Sequence, residues 1–302
     1  MKRSVILMGG KTFVLSLPAA WIKKYQIQKG EELDLEEKDN AIIVRTDNKP
    51  FGKELDIDFS VLDLMLNRGL GAIYKAGYTK AKIHFQTKEQ LQKIEETLQR
   101  TLIGFEITKQ EKNYVLIESL AEIKAEEFAA SLKRLFYSLE MMNEELTQAL
   151  VSGDLLALQK VVAKDGQINR LADFCRRVIN SGQIQFLHRP AVLYYLVEQL
   201  ERIGDIYKNI AQLAIDKKII SGASSQKLFA EINTIFIQYR TLFFKFDLVG
   251  FEDFGKKFYD LRKKIDTLQS QKQNKELDLF YHQKYLLETI IDMNGALLTL
   301  NI

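Results

Sequence analysis

The 302-residue chain reads as a multi-domain protein. A small N-terminal β domain precedes a middle α/β domain and a C-terminal all-α region of two three-helix units. Three observations predict this. Apolar and polar residues alternate in short runs up to residue 47. Strand-like and helix-like periods then take turns between 53 and 120. From 122 to 302 the helical period is almost unbroken, with Pro190 the single proline.

The first region (1–47) holds four strand-like runs, SVILM, TFVLSL, EELDLEE and AIIVRT. Gly9-Gly10 and the KDN at 38–40 read as turns. Between the pairs, PAAWIKKYQI predicts a short helix. Pro18 suits its first turn, where the missing N–H would be unpaired anyway. Gly30 is expected to close it, and Trp21 to anchor it. A β-β-α-β-β unit of about 45 residues is small for a self-sufficient core, so it is expected to dimerise or dock.

NKPFG (48–52) reads as a linker. The second region (53–120) predicts a helix at about 60–75, a strand AKIHFQ, and a helix at 88–103. Two strands follow, FEITKQ and NYVLIESL, joined by a hairpin turn at KQEKN. Thr87 followed by Gln90 is a capping-box pattern.

The third region (122–302) breaks at VSGD (151–154), NSGQ (180–183), ISGAS (220–224), VGFED (249–253) and QSQKQNK (269–275). That predicts six helices in two runs of three, a tandem repeat. LERIGD (200–205) on one third helix corresponds to LETIID (287–292) on the other. QINRL (167–171) corresponds to KIDTL (264–268) on the second helices. The phenylalanine-rich FFKFDLVGFEDFGKKF (243–258) and the lone Cys175 are expected in the core.

Composition narrows the function classes. One cysteine excludes an intramolecular disulfide and a CxxC zinc site, and fits a reducing compartment. No run approaches the roughly 18 apolar residues of a membrane span, and VILM is too short for a signal-peptide core. A soluble cytoplasmic protein is expected. No nucleophile elbow, P-loop or HExxH occurs, so an enzyme is not expected. His84 lies in a strand pattern and reads as structural. His188 and His282 each stand near the start of a third helix, where a repeated role is conceivable.

Net charge is only +3, but it is unevenly spread. Residues 1–30 hold Lys2, Arg3, Lys11, Lys23, Lys24 and Lys29 and no acid. Such a patch is a candidate polyanion surface. The helices carry the opposite feature. Glu201 and Asp205 stand four apart, as do Glu288 and Asp292. Like charges at that spacing destabilise an isolated helix by about 0.2–0.5 kcal/mol. At about 100° per residue, Leu200, Ile203, Ile206, Tyr207 and Ile210 share one arc and the acids lie opposite. Asp165, Asn169 and Asp173 form a further ladder of oxygen atoms. Two readings stand: a solvated face, with Lys208 and Lys284 as partners, or a site for a hard cation.

LERIGDIYKNIA, preceded by HRPA, resembles the signature of the PhoU family of phosphate-uptake regulators, over roughly 122–302. The resemblance implies paired three-helix bundles that bind iron or zinc. It puts ligands at Glu201, Asp205, Glu288 and Asp292, with Asp165, Asn169 and Asp266 on the partner helices. Asn169 stands where the family has an acid, and Arg262 stands in the place equivalent to Asp165.

GGKTFVLSLPAAWIKKYQIQKGEELDLEEKDNAIIV is similar to the AbrB/SpoVT swapped-hairpin DNA-binding domain, which interleaves hairpins from two chains. This implies Lys2, Arg3, Lys11, Lys23 and Lys24 against DNA phosphates. A head and body of these two kinds resemble archaeal phosphate-uptake regulators. The function implied is a homodimeric, DNA-binding transcriptional regulator with a metal-binding helical sensor. The alternative is an accessory protein that contacts a phosphate transporter ATPase or a sensor kinase, its head serving only to dimerise.

Overall fold

The computed structural model describes residues 1–38, 40–46, 53–120, 125–181, 189–271 and 277–302. The expected linker at 48–52 and His188 lie outside them. The chain divides into two compact units, Met1–Glu54 and Leu55–Ile302.

The first unit, the head, is two antiparallel hairpins around a short helix. Strands β1 (Val5–Met8) and β2 (Thr12–Leu15) pair, then come helix α1 (Ala19–Tyr25) and the pair β3 (Asp34–Lys38) and β4 (Ala41–Arg45). This is the predicted order. Gly9 and Gly10 turn the first hairpin at φ +60° and +73°, a left-handed region that residues with a Cβ enter only under strain. Gly30 does not close α1 as expected. Gln26 does so in the left-handed conformation, and Gly30 bends the chain four residues later. None of residues 1–37 and 40–46 is buried. Val5, Ile6, Leu7, Met8, Phe13, Leu15, Leu35 and Ile42 are all exposed.

The second unit, the body, begins with a four-stranded sheet. Its elements are β5 (Lys53–Asp58), α2 (Leu66–Lys75), β6 (Tyr78–His84), α3 (Lys88–Thr101), β7 (Phe105–Gln110) and β8 (Tyr114–Ser119). The sheet order is β5-β6-β8-β7, with β8 antiparallel to both neighbours. Ala81, Ile83, Val115 and Ile117 pack with Leu66, Leu70, Tyr74 and Ile94 of α2 and α3. β5 is not foreseen from sequence, since KELDID shows only Leu55 and Ile57 in alternation. α2 starts later than expected because Phe59–Leu62 is held as a turn. The Gln90 amide donates to the carbonyls of Phe59, Ser60 and Leu62 at 3.3, 2.9 and 2.7 Å. The same side chain completes the predicted capping box, its Oε1 accepting from Thr87 N–H while Gln90 N–H donates to Thr87 Oγ1.

The helices follow: α4 (Ala125–Ser152), α5 (Leu155–Ser181), α6 (Pro190–Lys217), α7 (Ala223–Phe244), α8 (Leu248–Gln271), α9 (Leu277–Asp292) and α10 (Asn294–Asn301). Among the described residues these are seven where six were expected, because the last breaks at Met293. There the carbonyls of Asp292 and Met293 accept the hydroxyls of Tyr195 and Tyr239, at 3.1 and 3.2 Å. One continuous core runs through both three-helix units. Phe136 of α4 touches Phe236, Tyr239, Phe243 and Phe244 of α7. Phe254 and Phe258 are buried as expected, while Phe244 is half exposed. Cys175 is a buried thiol, its pKa pushed up to about 12 by burial.

α5 also carries the middle domain. Buried Arg177 donates to the carbonyls of Tyr74 and Tyr78, at 3.1 and 2.6 Å. Its guanidinium lies over the rings of Tyr74 and Phe105. Gly77 makes the approach possible, since a Cβ there would come within 2.9 Å of the Ser181 backbone.

Candidate functional sites in the head and the body

The acidic helices meet where α5 crosses α6. Gly204, inside LERIGD, sets their separation: a Cβ there would meet Ile168 Cγ2 at 2.8 Å. The crossing puts Asp205 and Asp165 on the same ammonium. Lys208 Nζ lies 2.5 Å from Asp205 Oδ1 and 3.1 Å from Asp165 Oδ2. Asn169 donates its amide to Asp165 Oδ2 at 3.1 Å. Burial raises the pKa of Asp165 against the pull of Lys208. Burial also works against the Lys208 charge, but the bonds to Asp205 and Asp165 outweigh it and hold the ammonium above its usual range.

Glu201, four residues before Asp205, is drawn to a different cation. Arg176 of α5, only 2% exposed, pairs with Glu201, with Glu198 at 2.9 Å and with Asp173 at 2.8 Å. Lys75 of α2 reaches Asp173 at 3.7 Å. Burial is the main influence on Asp173 and holds its carboxyl above the ordinary range despite these two cations. The neighbouring pair Glu201 and Asp205 is thus split between a guanidinium and an ammonium.

In the second unit Glu288 and Asp266 are also paired. Arg262 of α8 reaches Glu288 at 3.3 Å, and Lys284 reaches Asp266 at 2.7 Å. Asp292 is exposed. His282 sits inside α9, part-buried, where desolvation lowers its pKa. Among the described residues no cluster of three or more His, Cys, Asp or Glu side chains is placed to hold a metal ion.

Sequence reading overlooks Arg176, Glu198, Arg177 and Lys75. A signal for Arg176 is present: it follows Asp173 by three residues on an apolar helix face. Lys75 lies about a hundred residues away and has no such signal.

In the head, Lys2, Arg3, Lys11, Lys23 and Lys24 are all exposed. Lys23 and Lys24 stand in the last turn of α1, and Lys11 follows the Gly9-Gly10 turn. An apolar hollow of about 310 Å³ opens beside Trp21, lined by Leu15, Leu17, Pro18 and Val44, with Arg3 at its edge. Trp21 is half-buried against Tyr25 rather than a core anchor.

The head presents exposed basic side chains, and the charged side chains of the helical body are turned on one another. Two family models match parts of the chain. Residues 6–51 match the family described as antidote-toxin recognition MazE, bacterial antitoxin, an AbrB-like module. Residues 132–214, α4 to α6, match the PhoU domain. Both are regulatory, non-enzymatic families. Among solved structures the chain is similar to the phosphate transport system regulatory protein PhoU from Streptococcus pneumoniae. The two share 17% identity over 58% of this chain and 94% of that one, with a TM-score of 0.47. No curated protein matches the chain. No described helix is long and apolar enough to cross a membrane.

Proposed function

We propose that the protein is a dimeric, DNA-binding regulator of phosphate uptake. The observation that carries this reading is the head: six basic residues and no acid in its first thirty, joined to a PhoU-matching body. Two copies bring twelve basic side chains to one assembly. The exposed apolar strands and the hollow beside Trp21 support pairing of heads, because burying such side chains is worth about 25 cal/mol per Å². Lys2, Arg3, Lys11, Lys23 and Lys24 supply phosphate contacts, which give affinity and register but no base code.

The test is binding of the full-length chain to duplex DNA across a salt series. Affinity should fall steeply with salt, and Lys2→Glu/Lys11→Glu should lower it at least about tenfold and flatten the slope. Absence of binding to any duplex at low salt would overturn the reading. The same exposed strands favour a second reading, in which the head only dimerises and the body contacts a phosphate transporter ATPase or a sensor kinase. Co-purification with such a partner, retained after deletion of residues 1–47, would decide for it.

A further inference from the structure

The resemblance implies iron or zinc at the acid pairs, and the residues present accept such an ion in one respect only. Oxygen donors are there: Asp165 Oδ1 and Asn169 Oδ1 are buried acceptors with no hydrogen-bond partner in the protein. Charge is against it. The two carboxylates that would bind a hard cation at the α5–α6 crossing, Asp165 and Asp205, already share the Lys208 ammonium. Glu201 is taken by Arg176, Glu288 by Arg262 and Asp266 by Lys284. A metal ion entering between Asp165 and Asp205 would face the Lys208 ammonium a few ångströms away, beside a carboxylate buried enough that repulsion is only weakly screened.

We infer that the chain supplies its own cations in place of metal ions. The Lys208 ammonium stands where a cation would bind between Asp165 and Asp205, and Arg176 holds Glu201 away from that place. The helical body then pairs Glu201, Asp205, Asp165, Glu288 and Asp266 with its own side chains, without iron or zinc. This inference does not depend on whether the head binds DNA.

Metal content decides it. The full-length protein is incubated with excess Zn²⁺ and separately with Fe²⁺ under anaerobic conditions, desalted, and analysed by elemental analysis. The wild type should hold less than about a tenth of an ion per chain, and a chelator should not shift its melting temperature. Lys208→Met keeps the stem and removes the charge. It leaves Asp165, Asn169 and Asp205 free as oxygen donors and should gain about one ion per chain. Asp205→Asn in that background should remove it. Metal on the wild type, lost on Asp205→Asn alone, would overturn the inference. That measurement needs no Lys208 variant to fold. A folded Lys208→Met protein that takes up no metal would overturn it as well, since Lys208 would then not occupy a cation's place.

Discussion

The two three-helix units carry an acid pair at the same repeat position and neutralise its glutamate differently. In the first, Arg176 is buried and holds Asp173, Glu198 and Glu201 together. In the second, Arg262 reaches Glu288 while its own side chain is 44% exposed. Geometry is repeated, energetics are not. A buried guanidinium commits its carboxylates, because losing one partner leaves charge stranded away from water. An exposed one is replaceable by solvent. The repeat therefore places equivalent charges under unequal constraint.

Arg176→Ala should show the difference most strongly. Removing it leaves Asp173 and Glu201 without their buried cation, at a cost of about 3–5 kcal/mol, read as a lower urea midpoint. A loss below about 1 kcal/mol would put the first unit on the same footing as the second. Gly204→Ala comes next. Its Cβ would press on Ile168 Cγ2 and Leu139 Cδ2, and overpacking of this kind costs about 1–3 kcal/mol. The second unit has no such glycine: its counterpart is Ile291, so Ile291→Ala should not show a clash-type loss but the smaller deficit of a partly buried side chain.

A pH profile sharpens the contrast further. Burial raises the Asp173 pKa above the ordinary 3.8. In the window above that value the folded state therefore binds more protons than the unfolded one. The contribution of Asp173 is then most favourable at low pH and declines as pH rises through its folded pKa. Asp173→Asn should remove this decline, so the stability difference between wild type and variant should narrow or reverse toward neutral pH. Urea midpoints of the two proteins across that range measure it, and parallel profiles would refute it. Arg262→Ala should be the smallest effect, about 0–1 kcal/mol and further reduced by salt.

How much of this could be read from sequence depended on how local the cause was. The two hairpins, the Thr87–Gln90 capping box and most helix breaks rest on neighbouring residues and were legible. So was the Lys208–Asp205 pair, three residues apart. β5 was not, since its place in the sheet comes from β6. The break at Met293 depends on hydroxyls from Tyr195 and Tyr239 on two other helices. The early end of α1 came from Gln26 adopting the left-handed conformation, which no residue preference foretells. For the acid pairs, the helical wheel placed the carboxylates opposite the apolar arc. It could not say that a buried arginine of the adjacent helix would occupy that side.

Arg177 fixes what can be exchanged between proteins of this build. A chimera that kept the helices but replaced residues 53–120 would strip a 2%-exposed guanidinium of two carbonyl acceptors and two aromatic rings at once. No ordinary substitute domain would present them at the same place. The middle domain and the bundle therefore form one compact part, and a chimera that preserves these contacts would have to be joined before residue 55.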